Sequence, residues 1–234
     1  MNHPLFITGT DTDVGKTFVS GLLLQEFKAA GFNTCALKPI ASGCHRNSAG
    51  ELVNADALYL QQLATIKVPY HMVNPIAFEP PIAPHIAASQ VNISLSMASV
   101  KQAVMAAQQD HADLHLIEGA GGWALPLNES ELLSDLILEL KIPIILVVGI
   151  KLGCLNHALL TAFNIAARGG RLVGWIANCV DPDALFISDN INFLKHKLPA
   201  PCLGIVPYGG KSIVSSCPQH DIVAFIRSRS VANA

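Results

Sequence analysis

The chain has 234 residues, of which 51% are hydrophobic and 14% charged, with a formal net charge of -2. That length fits one α/β domain spanning 1–234, and so apolar a chain can bury a large core and still hide surface against a second subunit. With no block of Lys or Arg there is no basic field for nucleic acid or anionic lipid, so neither nucleic acid nor a membrane is expected as a partner.

In chain order, Met1 to Pro4 runs into the apolar stretch Leu5–Thr8 without the charged-then-apolar pattern of a signal peptide. Leu5–Thr8 reads as a strand and Lys16–Ala30 as a helix, with the glycine-flanked stretch GTDTDVGKT (9–17) between them. Further strands are expected at Thr34–Lys38, Leu114–Glu118, Ile144–Val148, Leu172–Asn178 and Cys202–Val206. Helices are expected at Ala55–Ala64, Leu95–Gln109, Glu131–Leu140, Asn156–Ala167 and Ala184–His196. Ser94 is the expected N-cap of the third helix, and Gly169-Gly170 the stop of the fifth. Pro69–Pro84 carries five of the 14 prolines and reads as an ordered loop. Ile142–Ile150 is the most apolar run, but it contains Pro143 and is about half the roughly 20 residues needed to cross a bilayer. The strands are continuous apolar runs, as expected of a parallel sheet covered on both faces. The implied fold is a three-layer, doubly wound α/β sheet with right-handed crossovers and helices on both faces. Cys35, Cys44, Cys154, Cys179, Cys202 and Cys217 form no C-x-x-C pair, which suggests reduced thiols and a cytoplasmic protein.

In such a sheet ligands sit beyond the carboxyl ends of the strands, and the chemically capable residues fall there. GTDTDVGKT resembles the phosphate-binding loop G-x-x-x-x-G-K-[ST], but five residues separate Gly9 from Gly15. Its working parts are intact: glycines that let backbone N–H groups curl inward, Lys16 for the β- and γ-phosphates, and the Thr17 hydroxyl for Mg²⁺. Lys38 ends the second strand before a proline, and a second ammonium beside Lys16 would offset charge on a transferring phosphoryl group. Ser42 and Gly43 follow with hydroxyl and amide groups for a substrate. Asp56 opens a helix, a place the helix dipole alone would explain. Glu118 ends an apolar strand, the form of a second Mg²⁺-binding element, although Asp is usual there. Gly119, Ala120 and Gly121 then let a ligand approach closely. Asn156 and His157 can cap a helix as readily as touch a substrate. Asn178 carries an amide able to read an adenine edge, and Pro207-Tyr208 can line the same pocket.

These pieces in order (GTDTDVGKT, LKPIASG, NADAL, EGAGGW, VVGIKLGCLNHALLTA and the strand-end Asn178) resemble the dethiobiotin synthetases of biotin biosynthesis, from Phe6 to about Tyr208. That family has a P-loop NTPase-like fold and carries the same five-residue spacing inside its loop. The resemblance implies ATP- and Mg²⁺-dependent closure of a cyclic urea from 7,8-diaminopelargonic acid and CO₂, releasing ADP and phosphate. It implies Mg²⁺ on Thr17, Asp56 and Glu118, and phosphoryl oxygens on Lys16 and Lys38. ATP contacts are implied at Thr12, Asp13, Val14, Gly15, Lys16, Thr17, Asp56, Glu118, Gly119, Ala120, Gly121, Asn178, Cys179, Pro207 and Tyr208. Ser42 with Lys38 would meet the carbamate, and Asn156 would reach the substrate across a homodimer interface. Two departures stand out: Asp13 where some relatives have Glu, and a tail after Tyr208 without the family's acidic, Pro-containing segment. Partitioning-type ATPase switches share the fold but place a second lysine early in the loop, where this chain has Thr10 and Asp11.

Overall fold

A computed structural model describes residues 3–215, 222–224 and 226–227; Cys217 lies outside them. The elements run β1 (Pro4–Gly9), α1 (Lys16–Ala29), β2 (Thr34–Leu37), β3 (Ile40–Ala41), β4 (His45–Arg46), β5 (Leu52–Val53), α2 (Ala55–Leu63), α3 (Tyr70–Val73) and β6 (Ile76–Ala77). They continue with α4 (Pro84–Gln90), α5 (Met97–Ala106), β7 (Leu114–Glu118), α6 (Leu133–Glu139), β8 (Ile144–Ile150), α7 (Cys154–Ala167), β9 (Leu172–Cys179), α8 (Ile187–Lys197) and β10 (Cys202–Val206).

Six strands form a parallel sheet in the order β10-β9-β8-β1-β7-β2. Alternate residues of each strand bury on opposite faces, which is why the runs are apolar throughout. Leu5 and Ile7 of β1 pack with Val19, Leu23 and Phe27 of α1 on one face. Phe6, between them, packs on the other face with Val100 and Val104 of α5 and Leu136 of α6. Leu146, Val148 and Trp175 carry that second face on to Ala158 and Ala162 of α7 and Leu194 of α8. The expected three-layer architecture is therefore present. β1 lies between β7 and β8, so the chain winds outward from it in both directions, and the carboxyl ends of β1, β2 and β7 open on a crevice at this switch point.

Two local expectations are corrected. The N-cap of α5 is Ser96, not Ser94: Ser96 Oγ accepts from the Ser99 amide at 3.2 Å, and Ser99 Oγ accepts from the Ser96 amide at 3.1 Å. Only Ser96 has a hydroxyl three residues on to answer it, so the reciprocal cap forms there. α7 begins at Cys154 after Gly153, whose φ of 90° is left-handed, so Asn156 lies within the first turn and does not cap it. The proline-rich stretch is ordered, holding α3, β6 and the start of α4.

Candidate active site

The glycine-flanked loop leaves β1 and enters α1. Thr10 still hydrogen-bonds the sheet, its amide donating to the Val147 carbonyl at 3.1 Å. Asp13 and Gly15 are both left-handed, at φ 57° and 80°, a conformation Asp tolerates and Gly adopts freely. Between them Val14 turns down and is fully buried. A Cβ on Gly9 would stand 2.6 Å from Val14 Cγ2, and one on Gly149 would stand 2.9 Å from Val14 Cγ1. The extra residue is thus accommodated by a valine plugged between two glycines at the ends of β1 and β8. Asn178, at the end of β9, ties the same turn: its Nδ2 donates to the Val14 carbonyl at 2.9 Å.

Lys16, 7% exposed, donates across the loop to the Asp11 carbonyl at 3.0 Å. Burial, and then the neighbouring Lys38 ammonium, push its pKa down against the pull of Glu118, Asp56 and Asp13. A cation held this way gains when an anion arrives.

Lys38 sits one residue beyond β2 and is 5% exposed, so it is a buried cation and not a rim lysine. Its Nζ donates to Glu118 Oε1 at 2.7 Å and pairs with Asp56 Oδ2 at 3.4 Å. Burial acts to lower its pKa, but the two carboxylates outweigh that and raise it. The Thr17 hydroxyl donates to the same Glu118 Oε1 at 2.7 Å. Glu118 is fully buried, and its second oxygen, Oε2, makes no hydrogen bond among the described residues. A buried carboxylate oxygen left open beside a hydroxyl is able to take a cation or a water. No group of three or more His, Cys, Asp or Glu is poised for a metal among the described residues. Two carboxylates and a hydroxyl instead suit Mg²⁺, which keeps waters and phosphate oxygens in its shell. The residues fit the ion.

Lys16, Thr17, Lys38 and Asp56 line one cleft of about 790 Å³, walled by the phosphate loop (Thr12, Asp13, Gly15, Lys16, Thr17), by Lys38, Ser42, Asn54 and Asp56, and by Ala120, Gly121 and Gly122, while Glu118 and Gly119 lie behind that lining. Ser42, which also lines the cleft, has an Oγ that is buried without a hydrogen-bond partner among the described residues. Pro81, Ile82, Ala83 and Pro84 also form part of the wall; their sequence signal was the proline cluster, read for order and not for contact. The glycine stretch after Glu118 is pinned from behind, because Trp123 Nε1 donates to Asn164 Oδ1 of α7 at 3.0 Å.

Other expected site residues lie apart from this cleft's walls. Val14 is beneath the loop, and Asn178 and Cys179 are buried at the end of β9. Burial raises the Cys179 thiol's pKa, which does not suit a nucleophile. Pro207 and Tyr208 are exposed just beyond β10, and Asn156 is exposed on α7. One N–H of the Asn178 amide is committed to the loop, which leaves its Oδ1 and second N–H as the groups able to face a base.

Known proteins resemble this chain in sequence and fold. The AAA domain family matches residues 3–213. ATP-dependent dethiobiotin synthetase BioD of Pseudomonas paraeruginosa is 49% identical over 202 residues, covering 86% of this chain and 88% of that protein. The enzyme of the same name from Cellvibrio japonicus is 51% identical over 202 residues, with the same coverage. That from Aeromonas salmonicida is 48% identical over 208 residues, covering 89% and 92%. The cell division protein ftsY of Thermotoga maritima shares the fold at a TM-score of 0.50 and 16% identity, over 97% of this chain and 68% of that one. The phosphate loop, the buried Lys38–Glu118–Thr17 cluster and close identity over most of the length thus coincide, and the chain belongs to the ATP-dependent dethiobiotin synthetases.

Proposed function

We propose that this enzyme closes the ureido ring of dethiobiotin from 7,8-diaminopelargonic acid, CO₂ and ATP. One amine adds to CO₂ and loses a proton to become a carbamate. A carbamate oxygen then bonds to the γ-phosphorus of ATP as the bond to ADP breaks. The second amine attacks the activated carbonyl carbon, phosphate departs with its electron pair, and the nitrogen gives up a proton. Phosphoryl transfer of this kind needs positioning and charge neutralisation, not a protein nucleophile.

The observation that carries the reading is the buried cluster at the cleft floor, with Lys38 between Glu118 and Asp56 and the orphaned Ser42 hydroxyl in the same cleft. An ammonium has three N–H donors. Two face Glu118 and Asp56, leaving one for a carbamate or γ-phosphate oxygen, with Ser42 as a second contact to the carbamate. Lys16 leaves the Asp11 carbonyl for the phosphates. Mg²⁺ on Thr17, Asp56 and Glu118 would supply positive charge beside the β- and γ-phosphates. The backbone of Thr12 to Thr17 cradles the phosphate chain at the start of α1, and Gly119 to Gly121 allow its close approach. Asn178 Oδ1 accepts from the adenine amine, with Cys179, Pro207 and Tyr208 around the base.

The enzyme works as a single domain in a homodimer. Leu152, Leu160 and Phe163, on or just before α7, are exposed on the element that carries Asn156, and Asn156 reaches the partner's substrate. A cytoplasmic setting suits the free thiols of Cys35, Cys44, Cys154 and Cys179. No helix among the described residues is long and apolar enough to cross a membrane.

The test is phosphate release from ATP with Mg²⁺ and bicarbonate, with and without the diamine, with mass spectrometry of the product. Diamine-dependent release with a dethiobiotin mass is expected. Release indifferent to the diamine would sink the reading and leave an ATPase switch.

A further inference from the structure

Lys38 is followed by Pro39, which has no N–H, so the sheet ladder alone does not fix the backbone from which its ammonium extends. The α3–β6 segment fixes it. The Lys38 amide donates to the Val73 carbonyl at 2.8 Å, and Asn74 Nδ2 donates to the Lys38 carbonyl at 2.7 Å. Asn74 is 3% exposed, and its Oδ1 accepts from the Tyr70 hydroxyl at 3.1 Å. That hydroxyl accepts in turn from the Asn54 amide at 2.7 Å. Asn54 is the N-cap of α2, with Oδ1 accepting from the Ala57 amide at 3.2 Å and Nδ2 donating to the Ser42 carbonyl at 3.4 Å. One chain of hydrogen bonds therefore runs from the Lys38 backbone through Asn74 and Tyr70 to the turn that carries Asp56, with a branch to Ser42.

We infer that Tyr70 and Asn74 are positioning residues for the synthesis: they hold Lys38, Asp56 and Ser42 at fixed separations while lying outside the cleft themselves. The inference rests on the assignment of Lys38 to the carbamate and phosphoryl oxygens. Each atom in the chain is used once or twice and none is spare. The Tyr70 oxygen donates and accepts, so removing it breaks the chain in two places without changing the ring's shape. The phosphate loop hangs from β1, Val14 and Asn178 instead, so binding of ADP without metal, which does not call on Asp56, does not depend on the chain.

The experiment compares Tyr70→Phe, Asn74→Ala and the double variant with the parent enzyme. In each variant kcat for diamine-dependent synthesis falls about tenfold, because displaced catalytic groups cost rate steeply. The double variant is no slower than the worse single one, since both break the same chain. The Kd for ADP without metal stays within about twofold. A second readout needs no substrate: brief acetylation with acetic anhydride, followed by peptide mass spectrometry. Lys38 is labelled several times faster in the variants, whereas Lys16, held on the loop, keeps its rate. A purely structural role would lower the melting temperature and speed both lysines alike, with kcat per folded molecule unchanged, and that result would overturn the inference. If the parent enzyme shows no diamine-dependent turnover, the reading of the function fails, and the Lys38-to-Lys16 labelling ratio still decides the positioning role.

Discussion

Lys38 is placed where the protein needs it before any substrate binds, because Glu118 is a fully buried carboxylate and must have a cation beside it. Lys38→Met removes that cation while filling its volume. The variant is expected to lose about 3 kcal/mol of stability in urea denaturation and roughly 10²-fold in synthesis, yet still bind ADP. Adding Glu118→Gln to it removes the orphaned charge, so the double variant regains most of the lost stability and none of the activity. A double variant as unstable as Lys38→Met alone would remove the ion pair from the account. Gly15 poses a different constraint. A Cβ there would lie 2.1 Å from Asn178 Nδ2, at a φ of 80° that L side chains resist. Gly15→Ala is expected to weaken ATP binding sharply in calorimetry. Pairing it with Asn178→Ala relieves the contact but keeps the backbone cost of about 1 kcal/mol and removes the Asn178 tie to the Val14 carbonyl, so recovery is partial.

At the scale of elements, α6 shows how a helix end can be held by its neighbour. Asp135 Oδ2 accepts from the Leu132 amide at 2.7 Å, and Oδ1 accepts from Arg168, the residue that ends α7. Partial burial works to raise the Asp135 pKa, but the amide and the guanidinium together bring it below its usual 3.8. A depressed carboxylate stabilises the fold above its unfolded pKa and loses that contribution as pH falls through its folded one. Asp135→Asn therefore costs about 1 kcal/mol at neutral pH, and the gap from the parent narrows once pH drops below 3.8. Urea midpoints at pH 7 and 3 check this, and an equal gap at both would refute it. Elements like these were readable in the sequence where burial is uniform. The six sheet strands are apolar on both faces and stood out as runs, and Lys16, Thr17, Lys38 and Glu118 were found because they end such strands or open the next helix. Ser94 and Ser96 were not separable by residue type, since the choice lay with Ser99. Tyr70 and Asn74 escaped notice for a similar reason: a polar side chain that bonds a backbone group or another side chain leaves no periodic trace, and a proline-rich context suggests solvent.

For the whole molecule, the distribution of exposed apolar side chains carries the argument. Leu152 is 100% exposed, Leu160 63% and Phe163 51%, and Leu185 and Phe186 before α8 are 75% and 74% exposed. Leu160 and Phe163 lie on α7, and Leu152, Leu185 and Phe186 lie in the turns that lead into α7 and α8, the helices that cover the β8–β9 half of the sheet. Solubility argues against leaving such a surface bare, and a second copy of the chain is the occupant the homodimer proposal requires. Trp123 joins this face to the active site, since its indole binds Asn164 one residue from Phe163 while its backbone continues the glycine stretch after Glu118. Leu160→Asp with Phe163→Ser should therefore give a monomer in light scattering, folded and able to bind ADP. Its KM for the diamine should rise more than its KM for ATP, because Asn156 is then missing from the partner's pocket while each phosphate loop is whole. A variant that stays dimeric would move the interface elsewhere, and a monomer with an unchanged KM for the diamine would confine each substrate pocket to one chain.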